Sequence, residues 1–430
     1  MQFLKQEFIN LEHLTDNNKI DLQNLSDAVK TATLDLIKEI ENKEIALAKL
    51  FDNEEQLLLA EKIAKTISKF EQIVILAVGG SSLGGKTFSS LSELRNQHKT
   101  QKIIFVESID PTTIKKNLEN INYAKTAFLV ISKSGKTIET ICQSLITIDY
   151  FQKFNTNQRL NTELNTGPNK EISKHFFFIT ENSNSKIGKI AKSINAPIYN
   201  HFAIGGRYSC FSAVGLLPAL LCGLDANNIF KTAKGLLESL KNNYQWLIES
   251  ATKHLLLYNQ GFSNIVLMPY LDNLKNFNDW YRQLVAESLG KNNFGFTPIN
   301  SMGTVDQHSQ LQLYLDGARD KLFSFIDNKK FDNDITIKGI EKDCNFHNYK
   351  LSSILQIEQN STIKILTEKN LPIKITKIDQ LNENSLSKLM MMTILEIITI
   401  AKVMKINPFD QPAVELRKVI ANQMLTTNKI

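Results

Sequence analysis

Several short stretches of this chain hold residue types at spacings that could do chemistry. GGRYS, Gly205 to Ser209, sets one arginine behind two glycines and ahead of a long apolar run. A guanidinium is permanently charged and presents a planar fork of donors, so Arg207 suits an oxyanion that forms only during reaction; a salt bridge or helix cap would use it equally well. In WYRQLVAESLGK, Gln283 and Glu287 fall on one helical face, with Lys291 one turn further along. A plain surface pair between Glu287 and Lys291 is the reading this segment favours by itself. GTVDQHSQ places His308 among small polar residues in a loop, where an imidazole can move protons near neutral pH. The remaining histidines, His13, His98, His175, His201, His254 and His347, lack matched partners and read as structural, and no pair has metal-ligand spacing. NPFDQPAVELRK puts Gln411 at a turn, Pro412 at a helix start and Lys418 two turns on, where a lysine is often simple surface.

Two further segments look built for anions. SKSGKTIET, Ser132 to Thr140, follows the apolar run AFLVI and opens a helix. Free N–H groups of a first helical turn point at a ligand, the hydroxyls add hydrogen bonds, and Lys133 or Lys136 could add charge. A phosphate is the natural occupant, although the nonapeptide alone reads more simply as a capped strand-to-helix loop. GSSLGGKT, Gly80 to Thr87, fits the nucleotide-binding pattern G-x-x-x-x-G-K-[ST]. That reading also needs an acidic residue closing an apolar strand to hold magnesium, and Glu107 and Glu181 are poor candidates. In the competing reading the glycines let backbone approach a sugar or phosphate, Ser81 touches the ligand, and Lys86 is an incidental surface charge.

These residues need a scaffold. The chain has 430 residues, 42% of them hydrophobic and 22% charged, which predicts a folded protein of two domains. Its 50 basic and 44 acidic side chains leave a formal charge of +6 spread along the chain, so nucleic acid is not an expected partner. Cys142, Cys210, Cys222 and Cys344 stand far apart without CxxC spacing, which suits a reducing compartment. MQFLKQEFIN carries charges where a signal peptide needs an apolar core, and the longest apolar runs are too short or too interrupted to span a bilayer; a cytoplasmic location is expected.

Helical spacing runs from Asn17 to about Phe70. Strands are predicted at Ile73 to Gly80, Lys102 to Ser108, Ala127 to Ser132 and His175 to Thr180, each followed by room for a helix. That alternation argues for a doubly wound parallel sheet, which binds ligands beyond its strand C-termini, where both anion segments fall. Lys153 to Lys170 reads as an exposed Asn- and Thr-rich loop. A second unit follows Arg207, with a helix at Ser212 to Leu224, strands at Asn264 to Tyr270 and Leu322 to Ile326, and a last long helix from Leu386 to Ile406.

Taken in order from Gly79 to Lys418, GGRYS with SAVGL, Q-x-x-x-E-S-x-G-K, GT-x-x-QHS and NPFDQP-x-VEL-x-K resemble the phosphoglucose isomerase family. The resemblance implies two parallel-sheet sugar-isomerase domains, flavodoxin-like, with helical N- and C-terminal segments. It divides the chain into 1–210, with the first domain and the phosphate loop, 211–405 with the second, and 406–430 completing the site. It implies reversible isomerisation of glucose 6-phosphate to fructose 6-phosphate in glycolysis and gluconeogenesis, with no metal or other cofactor. Gly80, Ser81, Ser132, Lys133, Ser134, Thr137 and Thr140 would hold the sugar phosphate. Glu287 would shuttle the proton through a cis-enediol, Arg207 would stabilise the enediolate, and His308 and Lys418 would open the ring, with Gln283 and Gln411 positioning substrate. The family's histidine comes from the neighbouring subunit, so a homodimer is implied. Gly135 and Lys136 depart from a usual Phe and Thr, Ser82 from Asp, Val305 and Asp306 from Asn-Gly, and Ala413 and Arg417 from Gly. A loop that is more mobile or more basic is one expectation from them. A non-catalytic sugar-phosphate sensor on the same fold, or a nucleotide-binding protein, are the competing functions.

Overall fold

The computed structural model describes residues 3–11, 19–94, 101–159, 171–338 and 346–427. His13, His98, Cys344 and the second part of the polar 153–170 stretch lie outside them. Two five-stranded sheets organise the chain. The first is built from β2 (Gln72–Leu76), β3 (Lys102–Val106), β4 (Thr126–Ile131), β5 (Phe176–Thr180) and β6 (Ile198–Asn200), in the order β3-β2-β4-β5-β6. All its pairings are parallel. QIVIL, TAFLVI and FFFIT are buried at every position, because helices cover both faces, and this is why they read as unbroken apolar runs. The chain leaves β2 for β3 on one side and returns to β4 on the other, which opens a crevice at the C-terminal ends of β2 and β4.

The second sheet runs β1-β10-β9-β7-β8, from β1 (Lys5–Ile9), β7 (Asn264–Leu267), β8 (Thr297–Asn300), β9 (Lys321–Lys330) and β10 (Ile373–Gln380). Its pairings are parallel except at the edge, where β1 lies antiparallel on β10. The sequence reading has no strand before Ile73 and keeps residues 1–210 with the first unit. Lys5–Ile9 instead joins the second sheet, since KQEFI is too polar and too short to announce itself until β10 offers it an edge. β6 and β8 are also missed, being three and four residues long.

Most other expected elements form with shifted ends. The 213–221 helix is capped by Ser212, whose Oγ accepts from the Val214 N–H at 3.3 Å. The last long helix is Glu383–Val403, starting earlier than expected because Asn382 and Ser385 form a reciprocal capping box. The expected loop from Lys153 is helix to Arg159, a correction with a packing cause: Phe154 lies 5.4 Å from the Tyr123 ring, and Lys153 pairs with Asp149 at 2.6 Å one turn back. Buried residues from both units, among them Ile75, Leu217, Trp280 and Met391, form one continuous core. Among the described residues no helix is long and apolar enough to cross a membrane.

Candidate active site

At the glycine turn after β2 the backbones of the two halves of the chain come into direct contact. A Cβ on Gly80 would meet the Gly206 carbonyl carbon at 2.2 Å and the Arg207 nitrogen at 2.5 Å, so only glycine permits this backbone contact. It brings Ser81 and the GGR turn to one cleft. Gly84 and Gly85 do different work. They sit in the helix Leu83–Ser89, where Cβ atoms would strike Cys210 and Pro218 at 2.7 Å, so they serve helix packing rather than a phosphate cradle. Lys86 is no loose surface charge either: it pairs with Glu107 at 2.7 Å, and Ser82 Oγ donates to the same carboxylate at 2.5 Å. The nucleotide-binding reading loses its lysine and one of its two candidate acids to this pair.

The second wall comes from the loop after β4. Gly135 has φ +61°, and a Cβ there would fall 2.0 Å from Ser185 Oγ. Its carbonyl accepts from the Ile187 N–H at 3.1 Å, and the residue is buried. The departure at this position therefore gives a packed turn and not a mobile one, while exposed Lys136 keeps the loop basic. Ser132 Oγ donates to Thr137 Oγ1 at 3.1 Å, and the helix Ile138–Arg159 begins directly behind.

Glu287 comes from the helix Lys275–Leu289. Gln283, one turn earlier on the same face as their spacing predicts, donates from Nε2 to Glu287 Oε1 at 3.0 Å. Arg207 Nη1 donates to Glu287 Oε2 at 3.0 Å and to Gln411 Oε1 at 2.9 Å. Its Nε reaches Ser288 Oγ at 2.8 Å, and its Nη2 reaches the Pro408 and Asp410 carbonyls at 2.5 and 2.9 Å. The Arg207 side chain is 1% exposed and that of Glu287 26%, so the cation is rigidly seated while the carboxylate looks into the cleft. The salt bridge, one of the two readings of Arg207 left open by sequence, is present, and it leaves the fork facing the same cleft as the carboxylate. Glu287 has no bond to Lys291, whose ammonium turns instead to Asn407 and Asp410.

The cleft, about 300 Å³, is lined by Gly80, Ser81, Lys133, Ser134 and Thr137 together with Arg207, Gln283, Glu287, Gln411 and Lys418. Thus ten of the sequence candidates converge on one cavity. Ser132 and Thr140 do not line it: they are 2% and 1% exposed and lie behind the loop, with Thr140 Oγ1 buried and unpartnered a turn into the helix. His308 is also outside it, on the exposed turn Val305–His308. Asp306 braces that turn, accepting from the Met302 N–H at 2.6 Å and Ser309 Oγ at 2.7 Å. A larger cavity, about 720 Å³, opens beside Phe3 and Trp246 but contains none of the candidates.

Sequence reasoning missed Glu415 and saw Glu181 only as a magnesium ligand, yet both line the cleft. Lys418 donates to Glu415 at 2.6 Å; that bond holds the Glu415 carboxyl below its ordinary range, against the burial that raises it. The i,i+3 spacing of Glu415 and Lys418 was the available signal. Arg417 faces Glu139 at 3.6 Å, on the helix that follows the loop after β4. Among the described residues no three His, Cys, Asp or Glu side chains converge to hold a metal ion.

The family model for phosphoglucose isomerase matches residues 7–429. A probable glucose-6-phosphate isomerase of Methanococcus maripaludis is 36% identical over 84% of this chain and 80% of its own length. A glucose-6-phosphate isomerase of Methanocaldococcus jannaschii is 30% identical over 96% of both chains. Among solved structures, a hypothetical protein from Thermus thermophilus superposes with TM-score 0.82 at 21% identity, covering 98% of this chain and all of that one. A glucose-6-phosphate isomerase of Chlamydia trachomatis superposes at 0.74 with 22% identity, over 95% of this chain and 86% of the other, a likeness of fold. With a family model spanning nearly its whole length and relatives at this identity, the chain belongs to the phosphoglucose isomerase family.

Proposed function

We propose that this chain interconverts glucose 6-phosphate and fructose 6-phosphate, with Glu287 moving a proton between C2 and C1 of the open-chain sugar. One observation carries the reading: a carboxylate and a buried guanidinium 3.0 Å apart face the same small cleft as a hydroxyl-rich loop at a helix N-terminus. Ser81, Ser134 and Thr137, with Lys133, take the phosphate, which anchors the substrate far from the bonds that change. Ser132 and Thr140 act from behind, shaping that loop. As Glu287 takes the C2 proton its negative charge passes to the substrate oxygens. The Arg207 fork, fixed by its other acceptors, then faces an enediolate in place of a carboxylate and need not reorganise. Gln283 and Gln411 hold the carboxylate and the fork in register. Lys418 assists ring opening, once released from Glu415.

His308 completes ring opening from a neighbouring copy, in a homodimer; its exposed position outside its own cleft supports that assignment. The test is a coupled assay of fructose 6-phosphate conversion run with EDTA present, alongside deuterium uptake at C2 in heavy water. Turnover with exchange is expected. Binding of the sugar phosphate with neither would leave a sensor and refute the isomerase reading.

A further inference from the structure

Lys291 is a partly buried cation that neither proton transfer nor phosphate binding uses. It follows the helix carrying Gln283 and Glu287, and its backbone is set by a tight turn: Asn292 and Asn293 have φ of 52° and 63°. Lys291 and Phe294 exchange N–H to O bonds of 3.1 and 2.8 Å across it. Two successive left-handed residues make a type I′ turn, and asparagine tolerates that conformation better than most residues. From this base the side chain, 10% exposed, reaches the segment 407–411. Nζ donates to the Asn407 carbonyl at 2.5 Å and the Ser288 carbonyl at 3.1 Å, and lies 3.2 Å from Asp410 Oδ1.

Arg207 also holds this segment, through the Pro408 and Asp410 carbonyls and Gln411 Oε1. Tyr208 OH adds a 3.0 Å bond to Pro408 O. The segment's own bonds, Asn407 Nδ2 to Asp410 Oδ2 and the Phe409 N–H to Asn407 Oδ1, close it locally but tie it to nothing else. The helix that follows, Pro412–Thr426, has no buried residue, so its grip on the body of the protein comes through this entry turn and a few surface contacts. Burial pushes the Lys291 ammonium below its ordinary pKa, with Arg207 pushing the same way and Asp410 and Glu287 opposing. A desolvated charge of this kind is retained where its bonds repay the desolvation.

We propose that Lys291 is a positioning residue: paired with Asp410, it pins the 407–411 turn against Arg207, so that Gln411 and the guanidinium fork are in place before substrate enters. The proposal rests on the isomerase reading above. In Lys291→Met, kcat for fructose 6-phosphate is expected to fall about tenfold to a hundredfold while KM changes less than about threefold, because the phosphate anchor is untouched. Lys291→Arg, which can reach the same oxygens, should recover most of kcat. Asp410→Asn, which keeps the carbonyl bonds, should lose less. In a Gln411→Ala background, Lys291→Met should add less than about threefold, since both act on one turn. Hydrogen exchange reads the pinning without activity: amides of 407–411 should exchange about tenfold faster in Lys291→Met whether or not the enzyme turns over. A wild-type chain that exchanges as expected but lacks turnover sinks the isomerase reading alone. Unchanged exchange, or a folded Lys291→Met with wild-type kcat, overturns the role of Lys291.

Discussion

Replacing Glu287 by glutamine removes the proposed base while preserving nearly every contact around it. Glu287 accepts one hydrogen bond from Arg207 and one from Gln283. A glutamine can still accept from Arg207, and its amide then faces Gln283, whose Oε1 is buried without a partner. A flip of Gln283 would satisfy both groups. The remaining loss is charge: Arg207 keeps its neutral acceptors but loses its anion. With Glu287 26% exposed, the pair lies between a surface bridge and a sealed one, so the loss of stability should be about 1–2 kcal/mol. Loss of a positioned general base costs about 10²- to 10⁴-fold, and with no other carboxylate bonded to Arg207 we expect the upper end, about 4–5.5 kcal/mol of barrier. KM should move little. The assay couples glucose 6-phosphate formation to its dehydrogenase and follows deuterium at C2 in parallel. A folded Glu287→Gln variant with kcat within tenfold of wild type, still exchanging the C2 hydrogen, would refute the assignment of the base and the geometry argued for it.

Other perturbations follow from single contacts. Gly135→Ala places a Cβ into Ser185 at a positive φ and should destabilise by about 1–3 kcal/mol while raising KM, read by urea unfolding and steady-state kinetics. An equally stable variant would mean the loop has room that the packing denies. Lys86→Ala breaks the partly exposed Glu107 pair and should cost about 1 kcal/mol, with no saturable ATP binding in either protein. Magnesium-dependent ATP binding lost on that substitution would restore the nucleotide reading. His201 and His254 are buried, and desolvation brings each down to about 4. The unfolded chain takes up these protons below about pH 6.5 and the native one does not, so stability is full above pH 6.5 and falls toward pH 4, by at most about 1.4 kcal/mol per pH unit for each group. His254→Leu should flatten the unfolding free energy over that window; an unchanged slope would remove His254 as a cause.

The candidate site was legible where chemistry and local period coincide. Gln283 and Glu287 fall four apart on an apolar-backed helix, and that spacing places them on one face, where the structure joins them by a 3.0 Å bond. Pro412 marks a helix start by its fixed φ. The candidate phosphate loop could be placed because it closes a run buried on both faces. Illegible features depend on partners distant in the chain. Lys291 looks like half of an i,i+4 pair until the 407–411 turn, 116 residues away, supplies its acceptors. Lys86 matches a nucleotide motif until β3 brings Glu107 beside it. Thr140 carries a promising hydroxyl, but helical phase turns it from the cleft.

By itself, then, the amino-acid order determined which residues could carry charge, donate protons or bend the backbone, and which runs had to be buried, because side-chain chemistry and the periods of helix and strand are local. Tertiary structure alone decided that Lys5–Ile9 crosses to the second sheet, that Gly80 lies against Gly206, and that Arg207 holds Glu287 rather than a surface partner. Those outcomes depend on close approach between segments far apart in sequence, and only the packed chain sets such distances.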